Sequence, residues 1–392
     1  MSDANKTLLS YAAETAFAET PDLASTLLDV RFVSESLAHR KDTVVSEEIR
    51  ADRVRAGVVQ VGQGAEGSIE TEMIIGAYND WILAALQSSG FSVSSDAVTA
   101  TIDETAETIT ATVGTFSATT QAARYIKVAG ATNSTNNGIK RLVSASSTVL
   151  TVASTVTGGD ALDTAEVGSS LTITSNYGRN GTTLSTYLIE KHFTGPSTPR
   201  FNAVIGSSFN EWGVTMEAQA RILQSFGMMG AKMLDGTATY GDGANTVAST
   251  RDIVNSTSNV GAVLLDGSAL AVNLSAFSMA LNNNLRERPA VGRLYTLEHG
   301  SGTIDLTGSL ETYFEDGTLL AKFLNHTSFS LDIPIIDAAG NLFSIHIPKA
   351  YVSDEGAPTA DGINTDIILT NNFQATYDST AGYLIQVDQL DV

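Results

Sequence analysis

The chain has 392 residues and no cysteine, and its 22 Lys+Arg stand against 43 Asp+Glu for a formal net charge of -21. The missing cysteines exclude disulfides, thiolate metal sites and cysteine nucleophiles, and the acidity argues against a basic groove that grips nucleic acid. With 43% hydrophobic residues and no long apolar run, the chain is expected to be soluble, with cores for two or three domains and no membrane span.

The first 30 residues read as a polar arm with one helical piece, Leu23 to Leu28, and without the charged-then-apolar pattern of a secretory signal. Arg31 to Leu37 is expected as a strand. Thr43 to Arg55 carries Glu47, Glu48, Arg50, Asp52, Arg53 and Arg55. That mixed run suits either a solvated loop or an arm that meets another subunit through Arg–carboxylate forks. Ser68 to Ile74 alternates as a strand. Tyr78 to Gln87 has a helical apolar face of Trp81, Leu83, Ala84 and Leu86, with Gly90 as a stop.

From about 112 to 182 Thr and Ser dominate. Short strands are expected at Tyr125 to Val128, Gly138 to Val143, Val149 to Val152 and Leu171 to Ile173. Asn136-Asn137-Gly138 and Gly158-Gly159-Asp160 are turn chemistry. The stretch reads as a small β-barrel or sandwich inserted into the first domain, or alternatively as a long loop. Thr186 to Phe193 is a strand. In Val214 to Ile222, Val214, Met216, Ala218, Ala220 and Ile222 face one way, and Thr215, Glu217, Gln219 and Arg221 the other, as in a half-buried antiparallel strand. After a Gly- and Thr-rich linker at about 236 to 258, strands are expected at Ala271 to Leu281, Gly302 to Tyr313, Leu342 to Ile347, Ile367 to Tyr377 and Tyr383 to Val387, with a helix at about Thr318 to Leu324. Pro334 and Pro348 should bound strands or sit on edges. The domains implied are 1–111 with 183–245, an insert at 112–182, and 246–392.

One order of features occurs twice, in Ser46 to Gly90 and in Asn282 to Ser328. Each copy has closely spaced arginines (Arg50, Arg53, Arg55; Arg286, Arg288, Arg293). Then come broken glycines (Gly62, Gly64, Gly67; Gly300, Gly302), an alternating strand, an aromatic (Tyr78; Tyr313, Phe314) and a short apolar helix. A chain with two copies of one module supplies a ring with twice as many modules as subunits.

No catalytic constellation is legible. The histidines His39, His192, His299, His326 and His346 lack ligand spacing, and no GxSxG occurs. Gly62-Gln63-Gly64-Ala65-Glu66-Gly67 matches GxGxxG, but no helix starts at its third glycine, so a loop or hairpin is the better reading. The chain is expected to be no enzyme, with no catalytic residue, metal or cofactor.

The run RFVSESLAHRKDTVVSEEIRADR, Arg31 to Arg53, resembles the N-terminal signature of the tail tube proteins of long non-contractile-tailed bacteriophages. The resemblance continues in GSIETEMIIGAYNDWILAAL (Gly67 to Leu86), in TYLIEKHF (Thr186 to Phe193) and through MMGAKM (Met228 to Met233). ATNSTNNGIKRLVSASSTVLTV, Ala131 to Val152, is similar to a small β module that some members carry in this place. Members tend to have proline where this chain has Ala51.

The resemblance implies a mainly β fold: two tail-tube-type β-sandwich or barrel modules, each with a flanking α-helix, plus the inserted module. It implies a structural virion protein of the tail, assembled in the host cytoplasm, whose sheets join into rings and whose rings stack into a conduit for DNA ejection. Six modules form such a ring, so a trimer is expected, with a hexamer as the alternative. Tape measure, tail terminator and tail tip proteins would be its partners, and double-stranded DNA would pass without specific binding. Glu70, Glu72, Thr215, Glu217, Gln219, Arg221, Asp305 and Thr307 are expected to face the lumen. Glu47, Glu48, Arg50, Asp52, Arg53, Arg286, Glu287 and Arg288 are expected between rings or subunits. The competing readings are a secreted or surface β-rich adhesin and another tail component of the virion.

Overall fold

Period-two alternation of small residues becomes sheet over most of the chain. The structure, a computed structural model, describes residues 4–18, 25–153, 161–355, 358, 362–363 and 366–391. It opens with β1 (Thr7–Ala13), β2 (Leu28–Val30), β3 (Ser34–Glu35), β4 (Ala38–Val45), β5 (Val58–Glu72) and α1 (Asn79–Ala85). Next come β6 (Ser92–Asp103), β7 (Thr108–Val113), α2 (Ala118–Ala122), β8 (Tyr125–Ala129), β9 (Gly138–Ala145), β10 (Val149–Val152) and β11 (Glu166–Arg179). The chain returns through β12 (Tyr187–Phe193), β13 (Arg200–Glu217), β14 (Leu223–Gly230) and β15 (Lys232–Gly236). It continues with β16 (Leu264–Leu265), β17 (Ser268–Ala269), β18 (Leu274–Asn282), β19 (Arg286–Glu287), β20 (His299–Gly300) and β21 (Asp305–Tyr313). Finally come α3 (Thr318–Leu324), β22 (Phe329–Ile336), β23 (Leu342–Glu355), β24 (Ile368–Ala375) and β25 (Gln386–Leu390).

Several expectations change in detail. The helical piece from Leu23 begins outside the described residues, and Leu28 opens β2; the Gly158-Gly159-Asp160 turn also lies outside them. Arg31 to Leu37 is not one strand but the irregular join between β2 and β4, with β3 inside it. Val214 to Ile222 is a hairpin, because β13 ends at Glu217 and Gln219 takes a φ of 59 in the turn before β14. Ala218 is therefore exposed instead of facing the core. The GxGxxG run lies wholly inside β5. Pro348 falls where the β22–β23 ladder skips, between the Leu331↔Ile347 and Phe329↔Ala350 pairs, a position that needs no ladder N–H.

The central sheet runs β4–β5–β14–β13–β18–β21–β24–β23, antiparallel throughout. Its first four strands belong to the first half of the chain and its last four to the second. Both halves repeat one wiring. β4, β5, α1, β12, β13 and β14 correspond to β18, β21, α3, β22, β23 and β24, with β15 matched by β25 beside the long strand. α1 packs on β13 as α3 packs on β23. Each helix ends with a non-glycine residue at positive φ, Gln87 (φ 50) and His326 (φ 50). The next amides, Ser88 and Thr327, donate back to the Leu83 and Lys322 carbonyls, a Schellman closure in both copies. Gln87, not Gly90, is thus the stop of α1.

The register aligns the copies residue by residue. Met228 lies opposite both Phe209 and Gly67, and Phe373 lies opposite both Val352 and Gly308. Gly67 therefore matches Gly308, not Gly300 or Gly302 as the glycine spacing suggested. Gly67-Ser68-Ile69-Glu70-Thr71 then superposes on Gly308-Ser309-Leu310-Glu311-Thr312. Thr71 and Thr312 are buried alike, and Ile69 and Leu310 point into one shared core. Close approach explains both glycines: a Cβ at Gly67 would meet the Ser36 carbonyl at 2.6 Å, and one at Gly308 the Phe373 ring at 2.4 Å.

That core spans both halves. In the first, Trp81 is fully buried and its ring lies 5.2 to 6.1 Å from those of Tyr11, Tyr78, Phe209 and Phe226. Burying roughly 200 Å² of such an indole contributes about 5 kcal/mol of transfer free energy.

The insert is a closed six-strand barrel. β6 pairs β7, β7 pairs β10, β10 pairs β9, β9 pairs β8, β8 pairs β11, and β11 pairs β6. It has its own core of Val98, Ile109, Ile126, Leu150, Leu171 and Ile173, among others. β6 lies wholly and β7 mostly before residue 112, so the barrel begins at Ser92. Its ends meet, since Ser92 lies opposite Tyr177.

Candidate functional site: a polar sheet face and two long loops

One face of the central sheet packs on the core, and the other is polar. Direct cross-strand pairing places Glu72, Leu223, Thr215, Ser278, Ser309 and Asn372 in one row. The adjacent row holds Glu70, Ser225, Gly213, Ala280, Thr307 and Gln374. Glu217, Ala276, Glu311 and Thr370 flank them on one side, and Glu211, Asn282 and Asp305 on the other. Of the eight residues expected to line a lumen, Glu70, Glu72, Thr215, Glu217, Asp305 and Thr307 share this face. Gln219 sits instead at the β13–β14 turn. Arg221 lies just past that turn, where its guanidinium donates to the Glu72 carboxylate at 2.9 Å.

The face is built from short side chains and carboxylates. Ser278 and Ser309 bond each other at 2.8 Å, as Ser36 and Ser68 do at 3.2 Å in the matching position. From Phe201 on in β13, and throughout β5, β14, β18, β21 and β24, no strand residue is Lys or Arg. The reading from sequence missed Glu311, Ser309, Ser278 and Asn372. The GSIET/GSLET repeat held the signal for the first two, since Glu311 stands where Glu70 stands.

The charged residues expected between rings fall on two loops at the same end of the sheet, and the loops behave differently. The β4–β5 loop, 46–57, projects: Glu47, Glu48, Arg50, Asp52 and Arg53 are exposed, and Ile49 is 99% exposed. Its internal tie is a fork from Arg50 to Asp52, with Nη2 to Oδ2 at 2.8 Å, which holds the Asp52 carboxyl below its usual range. The β18–β21 loop folds back over the first half. Glu287 accepts from Arg40 Nη2 at 2.6 and 2.8 Å, Arg288 pairs with Glu298, and Arg286 donates to the Ser301 carbonyl at 3.2 Å. Gln63 N donates to the Leu294 carbonyl at 2.7 Å in the same seam.

A third arrangement fixes the inserted barrel to the second half. β11 extends onto β25, pairing Tyr177 with Asp388. The Asp388 carboxylate, fully buried, accepts from the Arg124 and Tyr125 amides at 3.0 and 3.4 Å and from Gln386 Nε2 at 2.9 Å. Burial nevertheless pushes its carboxyl up to about 7. Asp332, 3.5 Å from Arg124, is also raised by burial, and His346 beside it is held low by burial. Sequence gave no sign of this cluster, because its members come from four separated segments.

No group of three or more His, Cys, Asp or Glu among the described residues could hold a metal ion. No helix there is long and apolar enough to cross a membrane. Compared with known families, residues 4–375 match a model described as phage tail tube protein. No curated protein matches the chain. The match covers nearly all of it, and the chain belongs to that family.

Proposed function

We propose that this member of the phage tail tube protein family forms the wall of a long non-contractile tail, with three chains and six modules in each ring. The carrying observation is the single sheet that runs unbroken through both halves, with a polar face whose six inner strands, β13 from Phe201 on, bear no Lys or Arg. Turned inward, that face presents serines, threonines and carboxylates to passing DNA. Phosphates find no cation on those inner strands, and the nearby Arg221 and Arg40 are engaged by Glu72 and by Glu287 and Glu66, so the duplex slides toward the host cell instead of sticking.

Glu70, Glu72, Thr215, Glu217, Asp305 and Thr307 are assigned to the lumen, with Glu311, Ser309 and Ser278 beside them. The projecting 46–57 loop is assigned to the contact with the next ring, with Arg50, Arg53 and Arg55 as its cations. The first tube module comprises residues up to 91 with 180–245, the barrel 92–179, and the second module 246–392. The barrel belongs outside the wall, since a lumen domain would block DNA. Tape measure, tail terminator and tail tip proteins are the expected neighbours in the virion tail, which assembles in the host cytoplasm.

The test is to place cations on the face. Particles carrying Thr215→Arg and Ser309→Arg should assemble tubes of normal length but release DNA several-fold more slowly, with the delay shrinking as salt screens the contact. Unchanged release from normal tubes would remove this face from the lumen.

A further inference from the structure

The seam between the two modules is a template for a contact that one chain leaves open. β13 is paired along its whole length: its first half lies between β12 and β15, its second between β14 and β18. Its counterpart β23 lies between β22 and β25 at first, but from Tyr351 to Glu355 its only partner among the described residues is β24. In the same way β18 pairs both β13 and β21, whereas among the described residues its counterpart β4 pairs β5 alone. The second half of β23 and the outer edge of β4 are thus the two ends of the eight-strand sheet. Unpaired edges of this kind are satisfied by another strand.

We propose that β23 of one chain pairs with β4 of a second copy, in the register that β13 makes with β18, so that Asp354 lies opposite the partner's Arg40. The inference rests on the ring reading above. The bulges fix the translation. Against β14, β13 skips Asn210 between Phe209 and Glu211; against β24, β23 skips Ser353 between Val352 and Asp354. Glu211 therefore corresponds to Asp354. Asn282 lies opposite Asp305 and Arg40 opposite Gly64, and these partners precede the matched Gly308 and Gly67 by the same number of residues. Asn282 therefore corresponds to Arg40.

At the seam, Glu211 lies opposite Asn282 and accepts from its Nδ2 at 2.8 Å. Translated, a carboxylate meets a guanidinium, a favourable directly opposed pair on a sheet face. Asp354 is exposed, and Arg40 is held at the edge by Glu287, with Asp42 at 3.3 Å and Glu66 at 3.5 Å beside it. The pairing joins two different edges, so it propagates from chain to chain, as the ring proposed above requires.

The absence of cysteine allows a clean test. Within one chain the two positions are separated by the width of the sheet, roughly 30 Å, so a disulfide between R40C and D354C forms only between chains. Oxidised tubes of the double variant should run on denaturing gels as covalent multimers up to a closed ring, while D42C with D354C crosslinks poorly. Rings that assemble normally but stay uncrosslinked, or that crosslink better through D42C, overturn the register and leave the ring reading standing. If the wild-type chain forms no ring in the particle, the ring reading itself fails, and this pairing with it. Should the cysteine pair block assembly, charge exchange decides. R40D and D354R alone should each impair tubes and R40D/D354R together restore them; failure of that restoration overturns the pairing.

Discussion

Asp388 sits without solvent contact where the inserted barrel meets the second module, and its carboxyl is raised to about 7 by burial despite three donated hydrogen bonds. A carboxyl raised on folding holds its proton more tightly in the folded chain than in the unfolded one, where it titrates near the usual aspartate value of about 3.9. Its stabilising contribution is therefore complete below that value and is lost as pH rises through about 7. Asp388→Asn removes the titration. The melting temperature of the variant relative to the wild type should rise between about pH 4 and about pH 8. A difference that stays constant over that window would show that Asp388 does not titrate there. No sequence pattern announced this residue, since its donors Arg124 and Tyr125 lie 264 and 263 positions away.

At the scale of elements, local pattern was enough where one strand or helix decides its own face. α3 is found at Thr318–Leu324 as the apolar spacing indicated, and β12 and the barrel strands β8 to β11 fall on their alternating runs. It failed where the chain turns without glycine. Gln219 adopts positive φ in the β13–β14 hairpin, so Thr215 and Arg221, assigned to one strand face, do not share a strand: Thr215 is in β13 and Arg221 in the connection before β14. It also failed in the barrel, whose first two strands carry no compositional boundary and are identified by what they pair with. The candidate face was legible in part: Glu70 and Thr215 follow from alternation, whereas Ser278 and Asn372 join them only through register.

Because Ser92 lies opposite Tyr177, the barrel can be cut out between neighbouring strand ends. Replacing residues 92–179 by a short Gly/Ser linker should leave tubes that still assemble, thinner on the outside. Leu342 and Leu390, which pack on Tyr125, become exposed, so a lower melting temperature is expected. Loss of assembly in a deletion variant that still folds would mean that the barrel joins subunits.

At the scale of the whole molecule, duplication and charge act together. The two halves share one core and one sheet, so the chain is a joined pair of modules, and in the proposed assembly edge pairing and loop contacts must outweigh the repulsion between copies of net charge -21. The two edges at the ends of that sheet differ, which favours a closed ring over a two-fold dimer. The most direct test of this account is the symmetry of the tail tube, determined by averaging electron micrographs of parent particles. Three chains per ring around a pseudo-sixfold lumen is the predicted result. Six chains per ring, or a tube wall that lacks this protein, would contradict it.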